Sequence, residues 1–194
     1  VKKFTETKSP VFMLQWVSMD YLGKMPRTLD GFTTMLVIVD PTWNFLHVIG
    51  TDKKSTDGTL TELRRLNALC MKKTGRPIER VHADHESVFT SSRIQDWCNS
   101  LNPPAKKSHS TPGNQWQNRA EPCIRWLKER CKANGVICGL GIRFNGWNLT
   151  HVAQTSNNSR PCYGIWEPDK GPDGLWKACS ALTPGAEIIT PVQA

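Results

Sequence analysis

The residues from 33 to 40 read TTMLVIVD, an almost wholly apolar and β-branched run. Such a run is typical of a central strand that is buried on both faces of a sheet. Residues 11–20 before it and residues 43–49 after it also read as strands, and turn residues separate the three segments. Because the connections are short, the sequence predicts three antiparallel strands that are neighbours in one sheet.

A crossover helix is predicted next in the chain. Ser55 offers an N-cap, leucines recur at helical spacing from position 60 to position 69, and Gly75 offers a C-cap. The segment 78–83 then reads as a fourth strand. A helix between two strands makes a crossover, so the fourth strand should run parallel to the first. The ends of these two strands, and with them Asp20 and Asp84, should then lie side by side.

The remaining pattern completes an α/β domain. A short helix is predicted over 91–101, and a possible fifth strand over 106–110. A loop rich in Gly and Asn (111–117) and an amphipathic helix (118–133) follow. A further helix is expected in 147–154.

Three acidic residues stand at the ends of predicted elements. Asp20 and Asp84 each end a strand, and Glu121 lies in the first turn of a helix. Carboxylates at such places project into clefts, and carboxylate oxygens are the ligands that hard cations prefer. Glu121 has an alternative role, because Asn118 three residues earlier fits a capping box in which Glu121 binds only its own helix.

The net charge and the cysteine content indicate the class of partner and the cellular compartment. The net charge of +8 favours a polyanionic partner, although a solvated basic surface is the simpler interpretation. Seven cysteines without a Cys-x-x-Cys pair indicate reduced thiols in an intracellular protein. The sequence shows no apolar run of membrane-spanning length and no signal peptide. The first residue is Val1, which favours a segment cut from a longer polyprotein.

These motifs together resemble a known family, the catalytic core of retroviral and retrotransposon integrases, and most of all the copia type. The resemblance covers roughly residues 10 to 165. Asp84 and Glu121 have 36 residues between them (121 − 84 − 1), a spacing typical of the family's Asp, Asp, Glu pattern. The matching segments are 16–20, 35–40, 81–84 with 89–91, and 111–114 through Gln117 to Glu121.

The resemblance implies an RNase H-like fold, a five-stranded mixed sheet flanked by helices. It implies 3′-end processing and strand transfer on DNA, with two Mg²⁺ ions for which Mn²⁺ may substitute. Asp84 would bridge both ions, and Asp20 and Glu121 would each complete the shell of one. The expected partners are the element's DNA ends, target DNA and further copies of the chain. The expected site of action is the nucleus, reached within a cytoplasmic particle.

A basic surface near Glu121 is predicted to contact DNA. Arg125 and Lys128 follow Glu121 by four and seven residues and share its helix face. Each lysine alone is equally consistent with a solvated face, whereas a cluster beside a metal site favours DNA. The predicted DNA-binding residues are Lys106, Lys107, Gln117, Asn118, Arg125 and Lys128.

Two departures from the family pattern keep alternatives open. His85 and Glu86 follow Asp84 where the family has a small or amide residue and a Gly, and Pro122 follows Glu121 where it has Arg or Ser. The alternatives are an inactive DNA-binding remnant and a ribonuclease H-type nuclease. The predicted organisation is a linker or arm (1–10), an integrase core with a helical tail (11–166) and a poorly ordered extension (167–194).

Overall fold

The computed structural model describes residues 12–111, 118–139 and 141–159. The predicted arm, the predicted C-terminal extension and Gln117 lie outside these residues. The described part of the chain contains no helix that is both long enough and apolar enough to cross a membrane.

The described residues form one five-stranded mixed sheet with the strand order β3-β2-β1-β4-β5. The first three strands pair in antiparallel fashion, and β1–β4 and β4–β5 pair in parallel. The predicted sheet, including the possible fifth strand, is therefore confirmed. The strands are β1 (Trp16–Leu22), β2 (Thr34–Asp40), β3 (Phe45–Thr51), β4 (Arg80–Ala83) and β5 (Lys106–His109).

Within the described residues, five helices and one 3₁₀ turn, Ile142–Phe144, accompany the sheet. Two helices exceed the predicted lengths. The helix predicted over 118–133 begins later and continues to Cys138, where Gly139 ends it with a φ of 64°. The helices are α1 (Thr56–Thr74), α2 (Ser87–Thr90), α3 (Ser92–Ser100), α4 (Ala120–Cys138) and α5 (Asn145–Ser159).

The crossover helix α1 has both of the predicted caps. The Ser55 side chain accepts a hydrogen bond from the Gly58 N–H at 3.1 Å, and Gly75 adopts a φ of 71°. The Gly75 N–H donates to the Met71 carbonyl at 2.9 Å, which satisfies an orphan group of the last turn. This helix returns the chain so that β4 lies parallel to β1, with Trp16 opposite Arg80.

Two hydrophobic cores lie on opposite faces of the sheet. Val17, Met19 and Tyr21 of β1 pack on one face in a core with α1 and α3. Met35 and Val37 of β2 lie on the other face in a core with α4 and α5. All seven residues of β2 are buried, as its unbroken apolar sequence predicts.

Asn157 of α5 closes part of the free edge of β3. Its side-chain oxygen accepts from the Leu46 N–H, and its side-chain nitrogen donates to the Leu46 carbonyl, both at 2.8 Å. Asn157 is 4% exposed, so both bonds are shielded from water. One side chain thereby satisfies a donor and an acceptor that an edge strand leaves unpaired.

We predict that Asn157→Ala lowers the free energy of unfolding by about 2 kcal/mol or more, because two buried backbone groups lose their partners. Chemical denaturation monitored by circular dichroism measures the change. The control is Asn158→Ala at the exposed neighbouring position of the same helix, which should shift stability by less than about 0.5 kcal/mol. Equal losses in the two variants would contradict this role for Asn157.

Candidate metal centre

The parallel pairing of β1 with β4 brings Asp20 and Asp84 together. Met19 lies opposite Ala83 in the register, and each acid is the next residue of its segment. The two carboxylates each offer an oxygen, and these oxygens lie within 4.8 Å of one another. Both side chains are half-buried, so a cation bound between them would remain accessible to a substrate.

Glu86 is the third carboxylate of this group, within the same 4.8 Å. It is half-buried, and its carboxylate lies beside those of Asp20 and Asp84. Glu86 follows Asp84 by only two residues, and its N–H donates to Asp84 Oδ1 at 3.1 Å across a bend at His85. This closeness to Asp84 in the sequence is the signal that could have indicated its placement. We call Asp20, Asp84 and Glu86 the acid cluster.

Lys54 supplies a cation to the acid cluster. Its ammonium forms an ion pair with Glu86 and lies 5.6 Å from the centre of the Tyr21 ring. The residues of this pair are 32 positions apart, and no motif in the sequence links them. Lys54 therefore offsets part of the repulsion among the three carboxylates.

The environment of Asp20 disfavours its charged form. Burial, followed by the charge of Asp84 and then that of Glu86, raises the pKa of Asp20 from 3.8 to about 6. The Tyr21 N–H, which donates to Asp20 Oδ1 at 2.7 Å, and the Lys54 ammonium act in the opposite direction. A divalent cation would relieve the repulsion that remains.

The segment after β4 is fixed by short-range contacts. His109 of β5 donates through Nδ1 to the Asp84 carbonyl at 2.9 Å, and Asp84 Oδ1 accepts from the Glu86 N–H at 3.1 Å. The His85 and His109 rings lie 5.1 Å apart between centroids. Burial lowers the pKa of His109, so its ring is neutral at neutral pH. The bulky residue at position 85 thus has a neighbour to pack against.

Glu121 is not among the carboxylates that lie within 4.8 Å of one another. It is half-buried in the first turn of α4, and its carboxylate makes no hydrogen bond or ion pair with another described residue. The capping box is not formed, since the Asn118 side chain accepts from Ala120 and not from Glu121. Its role as a metal ligand stays a prediction.

Asn118 attaches the start of α4 to β1. Its side-chain nitrogen donates to the Met19 carbonyl at 3.1 Å, and its oxygen accepts from the Ala120 N–H at 3.1 Å. Met19 immediately precedes Asp20, so this bond holds the first turn of α4 beside the acid cluster. Pro122 lies in that first turn, where a proline is tolerated. It therefore does not interrupt the helix.

The predicted DNA-binding residues do not lie on one surface. Arg125, Lys128 and Lys106 are exposed. Lys107 lies on the other face of β5 from Lys106, and its Nζ donates to the Ser91 carbonyl at 3.2 Å. Asn118 is 2% exposed, which indicates a positioning role. DNA contact by these residues stays a prediction.

Asp40 and His82 have structural roles, and the predicted reduced cysteines are confirmed for the part of the chain that the structure describes. Asp40 Oδ1 accepts from the backbone N–H groups of Thr42 and Trp43, as a turn cap does. His82 bonds Ser108 and Ser110 through its two ring nitrogens, at 2.9 and 3.1 Å. The cysteines of the described part of the chain are free thiols.

Comparisons with known proteins agree with this architecture. No protein-family model and no curated protein matches the sequence. Among solved structures, the catalytic core domain of BIV integrase matches with a TM-score of 0.54 and 19% sequence identity, covering 78% of this chain and 87% of that one. This likeness shows that the chain has the α/β, RNase H-like fold of an integrase catalytic core. The expected fold class is confirmed, whereas the copia-type assignment is not tested by this likeness.

We predict that Asp20→Asn stabilises the metal-free protein at pH 7.5 by about 1 kcal/mol, since solvent that reaches the cluster screens part of the repulsion. The folded pKa of Asp20, about 6, exceeds its ordinary 3.8. Wild-type stability is therefore fully present at low pH and falls as pH rises from about 4 to above 6. The gain from Asp20→Asn should shrink at pH 5, where folded Asp20 is mostly protonated. Thermal unfolding in EDTA at both pH values measures it, and a gain independent of pH would contradict the prediction.

Proposed function

We propose that this chain catalyses metal-dependent phosphoryl transfer on DNA, with 3′-end processing and strand transfer as its two steps. The acid cluster, at the adjacent ends of β1 and β4 in a fold of the integrase type, is the observation that carries the proposal. A retrotransposon polyprotein of the copia type is the proposed source. The residues 1–10 and 167–194 are proposed as an arm and an extension of the core.

The residues present fit a hard divalent cation. Three carboxylates within 4.8 Å of one another supply oxygen ligands of the kind that Mg²⁺ and Mn²⁺ prefer. Burial, followed by the charge of Asp84, raises the pKa of Asp20 to about 6, and Lys54 offsets this only in part. Asp20, Asp84 and Glu121 are the proposed catalytic ligands, and Glu86 is a fourth carboxylate beside them.

Each proposed ligand has a separate structural support. Asp20 is held by the Tyr21 N–H on β1, and Asp84 is held through its carbonyl by His109 of β5. Asn118 holds the first turn of α4, and Glu121 with it, against β1. A bound pair of Mg²⁺ ions would activate the attacking oxygen and stabilise the leaving oxygen at phosphorus. The protein contributes fixed carboxylates and an accessible cleft.

Basic and apolar surfaces favour the proposed partners. Lys128 lines a cleft of about 290 Å³ together with Lys24 and Lys132, and none of the residues lining it is acidic. DNA phosphates are the proposed occupants of this region.

At the end of α4, Val136 and Ile137 are 84% and 82% exposed. We propose that such apolar exposure supports association between copies of the chain. The nucleus is the proposed site of action.

The second candidate function is an inactive DNA-binding remnant. The Lys54–Glu86 ion pair favours it, because the acid cluster already contains a cation. In that case the basic surfaces would bind DNA and the carboxylates would perform no chemistry. The two candidates differ in whether a divalent cation can bind the acid cluster in place of the Lys54 ammonium.

We predict that Asp84→Asn abolishes strand transfer with Mg²⁺ or Mn²⁺ and leaves DNA binding intact, because a neutral amide would hold a divalent cation more weakly than a carboxylate does. Glu121→Gln should act in the same way. Strand transfer is measured on a labelled DNA end, with the protein joined to its native flanking segments. The control is Asp96→Asn, which neutralises an exposed acid on α3.

An inactive wild type that still binds DNA would favour the remnant. In that case, replacing Glu86 by Gly and Pro122 by Arg tests whether these two departures cause the loss. Cleavage of an RNA–DNA hybrid without transfer to DNA would identify a ribonuclease H-type nuclease instead. Full strand transfer by Asp84→Asn would refute the proposed site.

We also predict that Glu86→Gln weakens Mn²⁺ binding about tenfold or more, since it removes a charged group next to the proposed ligands. Lys54→Met should have the opposite effect, because it frees the Glu86 carboxylate and removes a competing cation. Titration calorimetry measures both changes without reference to activity. Glu129→Gln, an exposed acid on α4, is the matched control. Unchanged Mn²⁺ affinity in both cluster variants would show that Glu86 and Lys54 lie outside the site.

A further inference from the structure

A cavity of about 510 Å³ lies on the same face of the sheet as α4, beyond the edge of the helical layer. α4 packs on β1 and β2, and α5 packs on β3, whereas the cavity lies over β1, β4 and β5. We call it the Arg80 groove. Its polar and aromatic lining comprises Trp16, Ser18, Thr42, Arg80, His82, Ser108 and Arg119.

The Arg80 groove is continuous with the acid cluster because side chains alternate along a strand. Trp16 and Ser18 lie on the same face of β1 as Asp20, and Arg80 lies on the same face of β4 as the position of Asp84. Trp16 is opposite Arg80 in the register. Asp84 lies four residue steps after Arg80, a span of roughly 13 Å along an extended strand. Both sites therefore lie along one line of the sheet surface.

The charge of the groove suits an anion. Arg80 and Arg119 are its charged lining residues, and no acid lines it. Neither guanidinium forms an ion pair with a carboxylate of the described residues. Lys106 stands opposite Arg80 in the register with β5 and is exposed, so it adds a third positive charge at the rim.

The groove is also pre-organised. The Arg80 guanidinium lies 4.3 Å from the centre of the Trp16 ring, which limits the orientations of both side chains. His82 bonds Ser108 and Ser110 through its two ring nitrogens, which fixes the orientation of its ring in the lining of the groove.

We propose that the Arg80 groove binds phosphates of the DNA strand that continues from the reacting phosphodiester. The inference rests on the proposed function, which places that phosphodiester at the acid cluster. Guanidinium groups recognise phosphate through paired N–H donors. A span of roughly 13 Å corresponds to about four nucleotides at the ~3.4 Å rise per nucleotide of B-DNA. A polymer can occupy both sites at once, whereas a small anion cannot.

The test is the salt dependence of DNA affinity, measured by fluorescence anisotropy with a labelled duplex in metal-free buffer. Each lost phosphate contact should reduce the slope of log affinity against log salt by about 0.9. Arg80→Gln and Arg119→Gln should each show this reduction, and Arg80→Lys should retain most of the wild-type slope. The control is Arg64→Gln, an exposed arginine of α1 on the opposite side of the sheet. Circular dichroism and thermal unfolding verify that each variant is folded.

Two results would overturn the inference in different ways. In the first, wild type binds DNA with a steep salt slope and reversal of Arg125 and Lys128 to Glu weakens binding, but the groove variants keep the wild-type slope. This result would refute the groove proposal and leave the proposed function standing. If wild type shows no salt-dependent DNA binding, the proposed function fails together with the groove. Reduced slopes in Arg80→Gln and Arg119→Gln, together with an unchanged slope in Arg64→Gln, support the groove proposal.

Discussion

The parallel pairing of β1 with β4 is the contact on which the candidate site depends. The two strands are separated by two further strands and the 19-residue helix α1. Their pairing converts a long separation in sequence into adjacent carboxylates, because parallel strands end at the same edge of a sheet. The same register places Trp16 opposite Arg80. One backbone alignment therefore positions both the acid cluster and the Arg80 groove.

Electrostatic repulsion at the acid cluster is only partly relieved within the protein. Lys54 pairs with Glu86, while burial, followed by the charge of Asp84, keeps the pKa of Asp20 raised to about 6. The carboxylates of the acid cluster therefore still repel one another. Binding of the proposed cation would lower the energy of the folded state as well as support chemistry. Metal binding and stability should thus be coupled in this protein.

Local sequence rules predicted the elements well and the contacts between distant side chains poorly. The unbroken apolar run of β2 and the caps of α1 follow from nearest-neighbour chemistry, and both were predicted from the sequence alone. The placement of Asp20 beside Asp84 required the crossover and the family resemblance. The Lys54–Glu86 pair and the Asn118–Met19 bond depend on tertiary packing, for which no periodicity exists in the sequence. The placement of Glu86 could have been predicted, since it lies only two residues after Asp84 in the sequence.

The Asn157 bonds to Leu46 also set a limit on how far the domain can be shortened. Without the end of α5, the outer edge of β3 would present unpaired backbone groups at a strand rich in apolar residues. Edges of that kind recruit strands from other molecules. A fragment truncated before Asn157 would therefore be a poor soluble unit even though it retained all five strands and every acid of the cluster. Helix α5 thus protects the domain against aggregation as well as packing on the sheet.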